Sequence, residues 1–133
     1  MFILNGGPVT WMSQKQTTIS TSTCQAETAA AFEAAKQAVW LRLLLSDVGC
    51  DTAESIRLNI DNQGAISVIK NPDSNHKRSK HWDIQHKYTQ EKCAEEAITV
   101  QFVPSDQQLA DILTKPLSPE PFKKNLTMLN MIP

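Results

Sequence analysis

Two neighbouring segments, one helical and one extended in pattern, constrain the fold more than any other feature of the chain. From about Gln25 to Ser46 the residues are mostly strong helix formers, and neither proline nor glycine interrupts them. After a short connection, Ile56, Leu58 and Ile60 alternate with polar residues, as in a strand with one buried face. A long helix followed directly by such a strand indicates an α/β fold.

The long helix has a predicted packing face. Alanines occupy the beginning of that face, so the helix can lie close to a sheet. Extending the same spacing towards the N-terminus leads to Glu27, which is charged and yet falls on the apolar side. The residues that define the face recur at alternating spacings of three and four: Ala31, Ala34, Ala38, Leu41 and Leu45.

The remaining segments complete a regular order of strands and helices. The predicted elements are a hairpin from Phe2 to Ser13 with a turn at Asn5-Gly6-Gly7, a helix from Asn62 to Lys70, a helix from Lys80 to about Glu95, a strand from Ile98 to Val103, a helix from Asp106 to Thr114 capped by Ser105 with Gln108, and a last helix from Ser118-Pro119 through Leu129. This order predicts a mixed sheet with helices packed on it. We expect a single domain over residues 1–133, with residues 118–133 as a C-terminal helical tail.

Composition excludes several classes of protein. A chain of 133 residues with 41% apolar and 20% charged residues is typical of one soluble globular domain. The net charge of −1 argues against coating nucleic acid by bulk charge. No apolar run is long enough to span a membrane. Cys24, Cys50 and Cys93 are scattered and lack CxxC spacing, which indicates free thiols and an intracellular setting.

Three carboxylates are candidates for chemistry because of their positions. Glu27 lies on the packing face of the long helix, Asp61 ends an apolar strand, and Asp111 lies inside a short helix. Each also has a simpler interpretation: Glu27 complements the helix dipole, Asp61 caps the next helix, and Asp111 is a solvated acid. If the three converge, they need cations to neutralise them, and hard oxygen ligands suit Mg²⁺ or Mn²⁺.

A basic stretch with aromatic residues is the second candidate feature. Residues 76–88 carry a local net charge of +3, with Trp82 and Tyr88 interleaved, a pattern that suits a nucleic-acid backbone. The alternative is a solvated helix with Trp82 in the core. His76, His81 and His86 are spaced by five and lack cysteine partners, so a zinc site is disfavoured.

Five motifs, read in order, resemble the ribonuclease H region of copia-type retrotransposon polyproteins over nearly the whole chain. They are Gly6-Gly7-Pro8-Val9-Thr10-Trp11 with Ser13-Lys15-Gln16; Ser22 to Glu27 leading to Ala34 to Leu41; Asp61-Asn62-Gln63-Gly64-Ala65; Asn71-Pro72, His76, Arg78 and Lys80 to Ile84; and Val103 to Leu117.

The resemblance implies a fold and a set of roles. It implies a ribonuclease H-like mixed sheet flanked by helices, in which an acidic quartet holds two Mg²⁺ or Mn²⁺ ions that cleave the RNA strand of an RNA–DNA hybrid. Glu27, Asp61 and Asp111 match three of the four metal ligands. The implied partners are the hybrid and the reverse transcriptase portion of the same polyprotein, in a cytoplasmic virus-like particle or the nucleus. The candidate contacts to nucleic acid are Asn62, Gln63, Arg78, Lys80 and His81.

The chain departs from the family pattern in two ways. Gln25 stands where the family usually has an acid, and Thr28 where it has an aromatic. The family's first strand, central in its sheet, carries the fourth ligand and is expected upstream of Met1, so we expect this chain to be impaired as an enzyme. Two alternatives stay open: a non-catalytic transposon-derived remnant that binds nucleic acid or has no function, and an unrelated α/β binding module.

Overall fold

The chain forms two compact units. In this computed structural model, residues 1–14, 22–71 and 80–132 are described, with residues 80–83 described for their backbone alone. One unit, here called the α/β unit, is Ser20–Val103. The other, the terminal unit, combines Met1–Ile19 with Pro104–Pro133. The prediction of one domain over the whole length stays a prediction.

The observed elements follow the predicted order closely and confirm a mixed α/β chain. The strands and α-helices are β1 (Phe2–Leu4), β2 (Gly7–Thr10), α1 (Thr23–Asp47), β3 (Ile56–Ile60), α2 (Gln63–Lys70), α3 (Lys80–Ala94), β4 (Ile98–Phe102) and α4 (Pro119–Met128). The strands pair as two separate two-stranded sheets, β1 with β2 and β3 with β4, instead of forming one mixed sheet.

The sheet of the α/β unit is a parallel pair. The strands β3 and β4 run in register from Ile56 opposite Ile98 to Ile60 opposite Phe102. Alternate side chains are buried, as the sequence pattern predicts: Leu58 and Ile60 on β3, Ile98 and Val100 on β4. The helices α1, α2 and α3 pack around this pair. A parallel connection requires a crossover, and α2 and α3 provide it.

Helix α1 buries a face that differs from the predicted one by a small rotation. Thr28, Ala31, Ala35 and Ala38 are its buried residues, whereas Ala34, Leu41 and Leu45 are half-buried. The centre of the face at its N-terminal end is therefore Thr28, whose hydroxyl donates to the carbonyl of Cys24 at 2.8 Å. Glu27 lies beside the buried face and is half-buried.

The hairpin of the terminal unit turns at Asn5 and Gly6, two of the three predicted turn residues, and Gly7 begins β2. The strands β1 and β2 are antiparallel, and Asn5 and Gly6 have positive φ angles of 52° and 84°. Such angles suit glycine and are tolerated by asparagine, which explains the residue types at this turn. Two side chains tie this hairpin and its extension to the C-terminal segment: Asn130 donates to the Gly6 carbonyl at 2.7 Å, and Ser13 donates to the Leu113 carbonyl at 2.9 Å.

The predicted helix from Asp106 to Thr114 is wrong in type. The structure has two short 3₁₀ helices instead, Ser105–Gln107 and Leu109–Leu113. Among the described residues, no side chain caps either helix, so the predicted capping box of Ser105 with Gln108 is not seen there. A 3₁₀ turn closes on the third residue and is used in short pieces, which suits a segment bounded by Pro104 and Pro116.

The three cysteines are free, as expected. Burial raises the pKa of the Cys93 thiol, and this effect outweighs the opposing influence of the Lys70 charge. Among the described residues, none of the helices has the length and apolar character that crossing a membrane requires.

Candidate functional site

Asp61 follows the last residue of β3, at the carboxyl end of the parallel pair, where α/β sheets commonly carry their site residues. The next helix is capped by its neighbour, Asn62, whose Oδ1 accepts from the Ala65 N–H at 2.9 Å. The simpler interpretation of Asp61 as a helix cap is therefore wrong. The Asp61 carboxylate is half-buried, and none of the described residues forms a hydrogen bond or ion pair with it.

Glu27 lies beyond the first turn of α1. That helix is capped by Ser22, whose hydroxyl accepts from the Gln25 N–H at 3.2 Å, and its first turn contains no acid. The stabilising effect of the helix dipole on an acid falls off within the first turn. Complementing the dipole is thus a poor explanation for Glu27.

The beginnings of α1 and α2 approach each other at Gly64. A Cβ atom at Gly64 would lie 3.1 Å from Asn62 Oδ1 and 3.7 Å from Cys24 Sγ. Cys24 precedes Glu27 by three residues, a spacing that places two side chains on the same face of a helix. The turn that contains Asp61 and the first turns of α1 therefore belong to the same end of the α/β unit.

Asp111 lies in the terminal unit, in the second 3₁₀ helix. Lys115 Nζ is 2.9 Å from each of its two carboxylate oxygens, and the Asp111 side chain is 15% exposed. The interpretation of Asp111 as a solvated acid is therefore wrong, because the group is largely shielded and paired. Sequence reasoning missed the role of Lys115, although its position four residues after an acid indicates such a pair on a helical turn.

The three predicted acids are divided between the units. Glu27 and Asp61 are in the α/β unit and Asp111 is in the terminal unit. In the part of the chain that the structure describes, no three His, Cys, Asp or Glu side chains lie together as a metal site would require. The three predicted acids lie in different units, so their convergence around a pair of cations stays a prediction.

The basic stretch is described only in part. Arg78 lies outside the described residues, as do the side chains of Lys80 and His81. The ring of His86 is buried, with Nε2 2.6 Å from the Val68 carbonyl oxygen, so this histidine joins α3 to α2 and is not accessible to nucleic acid.

Two further members of the predicted contact surface have structural roles. The Tyr88 ring packs edge-on against Phe32, with centroids 5.4 Å apart. The Asn62 carboxamide is occupied by its cap to α2, whereas the neighbouring Gln63 is exposed. The described residues therefore leave Gln63 and the exposed Lys87 as the accessible polar groups of this prediction.

The chain is similar to a segment of three curated proteins. It is 33% identical over 115 residues to a retrovirus-related Pol polyprotein from transposon TNT 1-94 of Nicotiana tabacum, a match covering 86% of this chain. It is 32% identical to the corresponding polyproteins from transposons RE2 and RE1 of Arabidopsis thaliana, over 111 and 116 residues, or 84% and 87% of this chain. The chain spans about 8% of the length of each of these relatives.

Other comparisons gave no match. No protein-family model matches the chain. No solved structure matches it at a significant level.

Proposed function

We propose that this chain is the ribonuclease H part of a Pol polyprotein, because its homologues are retrovirus-related Pol polyproteins of transposons. In that function it hydrolyses the RNA strand of an RNA–DNA hybrid with the help of divalent metal ions. The copia-type motifs identified in the sequence support this assignment. The expected companion is the reverse transcriptase portion of the same polyprotein.

The main support for the proposal is the position and the burial of the Asp61 carboxylate. It is half-buried at the carboxyl end of a parallel strand pair, and the adjacent Asn62 takes over the capping of α2. The contacts of the described residues therefore give this charge no structural role. A carboxylate placed in this way is available to a hard cation.

The donor chemistry of the proposed site suits Mg²⁺ or Mn²⁺. Glu27, Asp61 and Asp111 offer carboxylate oxygens, which these hard ions prefer. When bound, a pair of such ions supplies an activated water and stabilises the leaving oxygen. Asp111 is already paired with Lys115, so we expect this lysine to release the carboxylate when a cation binds. The resemblance places a fourth ligand on a strand that precedes the hairpin.

The decisive experiment uses the chain extended at its N-terminus by the strand that the resemblance implies. We expect Mg²⁺-dependent cleavage of the RNA strand of a labelled hybrid, and a loss of at least about a thousandfold in Asp61→Asn, since removing a metal-binding charge removes transition-state stabilisation. Circular dichroism should show that the variant remains folded, because Asn62 still caps α2.

Asp47→Asn is the matched control. Asp47 is an exposed acid at the C-terminal end of α1, in the same unit, and its exchange should leave cleavage unchanged. Equal cleavage by the Asp61→Asn variant and the parent would refute the catalytic assignment. Hybrid binding without cleavage in the extended chain would favour a non-catalytic remnant.

A further inference from the structure

A groove in the terminal unit has features of a binding site. It has a volume of about 600 Å³ and lies between the 3₁₀ segment and α4. Ser105 and Asp111 contribute from the 3₁₀ segment, Leu117 from the connection, and Glu120, Pro121 and Asn125 from α4. All of these residues belong to a single unit, so the groove is complete within it.

Asn125 is the most unusual member of this lining. The residue is 5% exposed, yet no described residue forms a hydrogen bond with its carboxamide. A buried amide without a partner destabilises a fold, and native proteins satisfy nearly all such groups. Asn125 lines the groove, so a ligand seated there would supply the missing hydrogen bond.

The charges around the groove favour a cation. Asp111 is paired with Lys115, and Asp106, which also lines the groove, is paired at 3.7 Å with the lining cation Lys124. Glu120 is exposed, and no described residue forms an ion pair with it. The lining therefore presents one uncompensated carboxylate together with the amide oxygen of Asn125.

The lining of the groove combines polar and apolar side chains. Leu117 and Pro121 add apolar surface between the polar groups. An occupant must therefore be positively charged and partly apolar.

We infer that this groove binds the guanidinium group of an arginine side chain presented by a partner peptide. A guanidinium is planar, donates hydrogen bonds along its edge and tolerates apolar contact on its faces. Its edge suits the Glu120 carboxylate and the Asn125 oxygen, while the aliphatic stem packs against Leu117 and Pro121. This inference requires neither metal ions nor nucleic acid and goes beyond the proposed hydrolysis.

The test is a titration of the full 133-residue chain with the peptide acetyl-Gly-Arg-Gly-amide, followed by NMR. We expect shifts confined to residues of the groove, including the Asn125 side-chain amide, with a Kd on the order of 1 mM, as suits a ligand of this size. The peptide with citrulline in place of arginine has the same shape without the charge, and should bind at least about tenfold more weakly. A peptide with lysine in place of arginine carries the charge without the planar group, and it tests whether planarity contributes to binding.

Two variants connect the binding to the groove. Glu120→Gln should weaken binding of the arginine peptide by about three- to tenfold, because it removes the uncompensated charge. Glu54→Gln, an exposed acid in the α/β unit, is the matched control and should bind like the parent. Equal binding of the arginine and citrulline peptides, or no effect of Glu120→Gln, would overturn the inference.

Asn125→Leu separates binding from folding. It keeps the size of the side chain and removes the unsatisfied amide, so we expect a higher Tm together with weaker peptide binding. A lower Tm would show that the amide has a structural partner, and unchanged binding would show that it does not face the ligand; either result contradicts the inference. The cleavage test with Asp61→Asn changes no residue of the groove, so its failure and the failure of this inference are distinguishable.

Discussion

The two units of the chain are held together by different kinds of interaction. The α/β unit buries apolar side chains from both of its strands and from α1 and α2, and Ile69 and Ile98 are each 1% exposed. In the terminal unit, Leu129 and Asn125 are the buried residues among those described, and one of the two is polar. The difference indicates that the α/β unit has a core of its own, whereas the terminal unit depends more on directional bonds.

Those directional bonds connect segments that are far apart in sequence. Asn130 binds the Gly6 carbonyl across 124 residues and Ser13 binds the Leu113 carbonyl across 100. Around them the apolar side chains of the hairpin and its extension, such as Ile3, Val9 and Trp11, remain exposed. Because a hydrogen bond contributes about 1 kcal/mol net, we expect the terminal unit to open locally more easily than the α/β unit.

The largest predicted effect tests the core of the α/β unit. Ile69→Ala should lower the free energy of unfolding by about 2–5 kcal/mol, since it leaves a cavity at a fully buried position. Ile84→Ala is the matched control, because Ile84 is 67% exposed, and should change that free energy by less than about 0.5 kcal/mol. Urea denaturation measures both. Similar losses in the two variants would contradict the existence of a packed core in this unit.

A smaller effect is expected in the terminal unit from Asn130→Ala. The change removes the bond to Gly6 and places alanine at a φ of 53°, so it should destabilise the unit by about 2 kcal/mol. Hydrogen exchange should quicken at the amides of β1 and β2 and stay unchanged in β3 and β4.

Asn130→Gly distinguishes the two contributions to that loss. Glycine adopts the positive φ without strain, so the remaining loss reports on the hydrogen bond alone, about 1 kcal/mol. Faster exchange in β3 and β4 as well would show that the units are not distinct in stability.

The smallest predicted effect concerns the ion pair of Asp111. Lys115→Met keeps the aliphatic stem and removes the charge, and should lower stability by about 0.5 kcal/mol or less, because the lysine side chain is 55% exposed. Thermal denaturation at low and high salt is the measurement. A salt-independent loss of more than about 2 kcal/mol would contradict the assignment of this ion pair as a weak, solvent-screened contact.

Much of the fold was predictable because each element carries a local signal. The alternation at Ile56, Leu58 and Ile60 was sufficient for β3, and Asn5-Gly6 for the hairpin turn. The face of α1 was predicted one residue away from its true centre, since the helix contains many alanines. Residues 34 and 35 are both alanine, so spacing alone does not decide which of them is buried.

The limits of prediction lie where tertiary context decides. The segment from Ser105 to Leu113 has the pattern of a capped helix and forms 3₁₀ turns. Nothing local revealed that His86 would be buried against the Val68 carbonyl. The candidate acids were singled out by position, but their roles came from the resemblance, since spacing along a chain does not show which side chains meet in space.

The capping of α2 by Asn62 has a consequence for how copies of this sequence change over time. The uncharged Asn62, not Asp61, caps the helix that follows β3. A copy with asparagine in place of Asp61 would therefore lose no stabilising contact of the described residues. From the contacts of the described residues, we expect such an exchange to leave the stability of the fold nearly unchanged. If sequences related to this chain retain the acid, the described contacts of the fold give no structural reason for it, and a role in the proposed function would explain it.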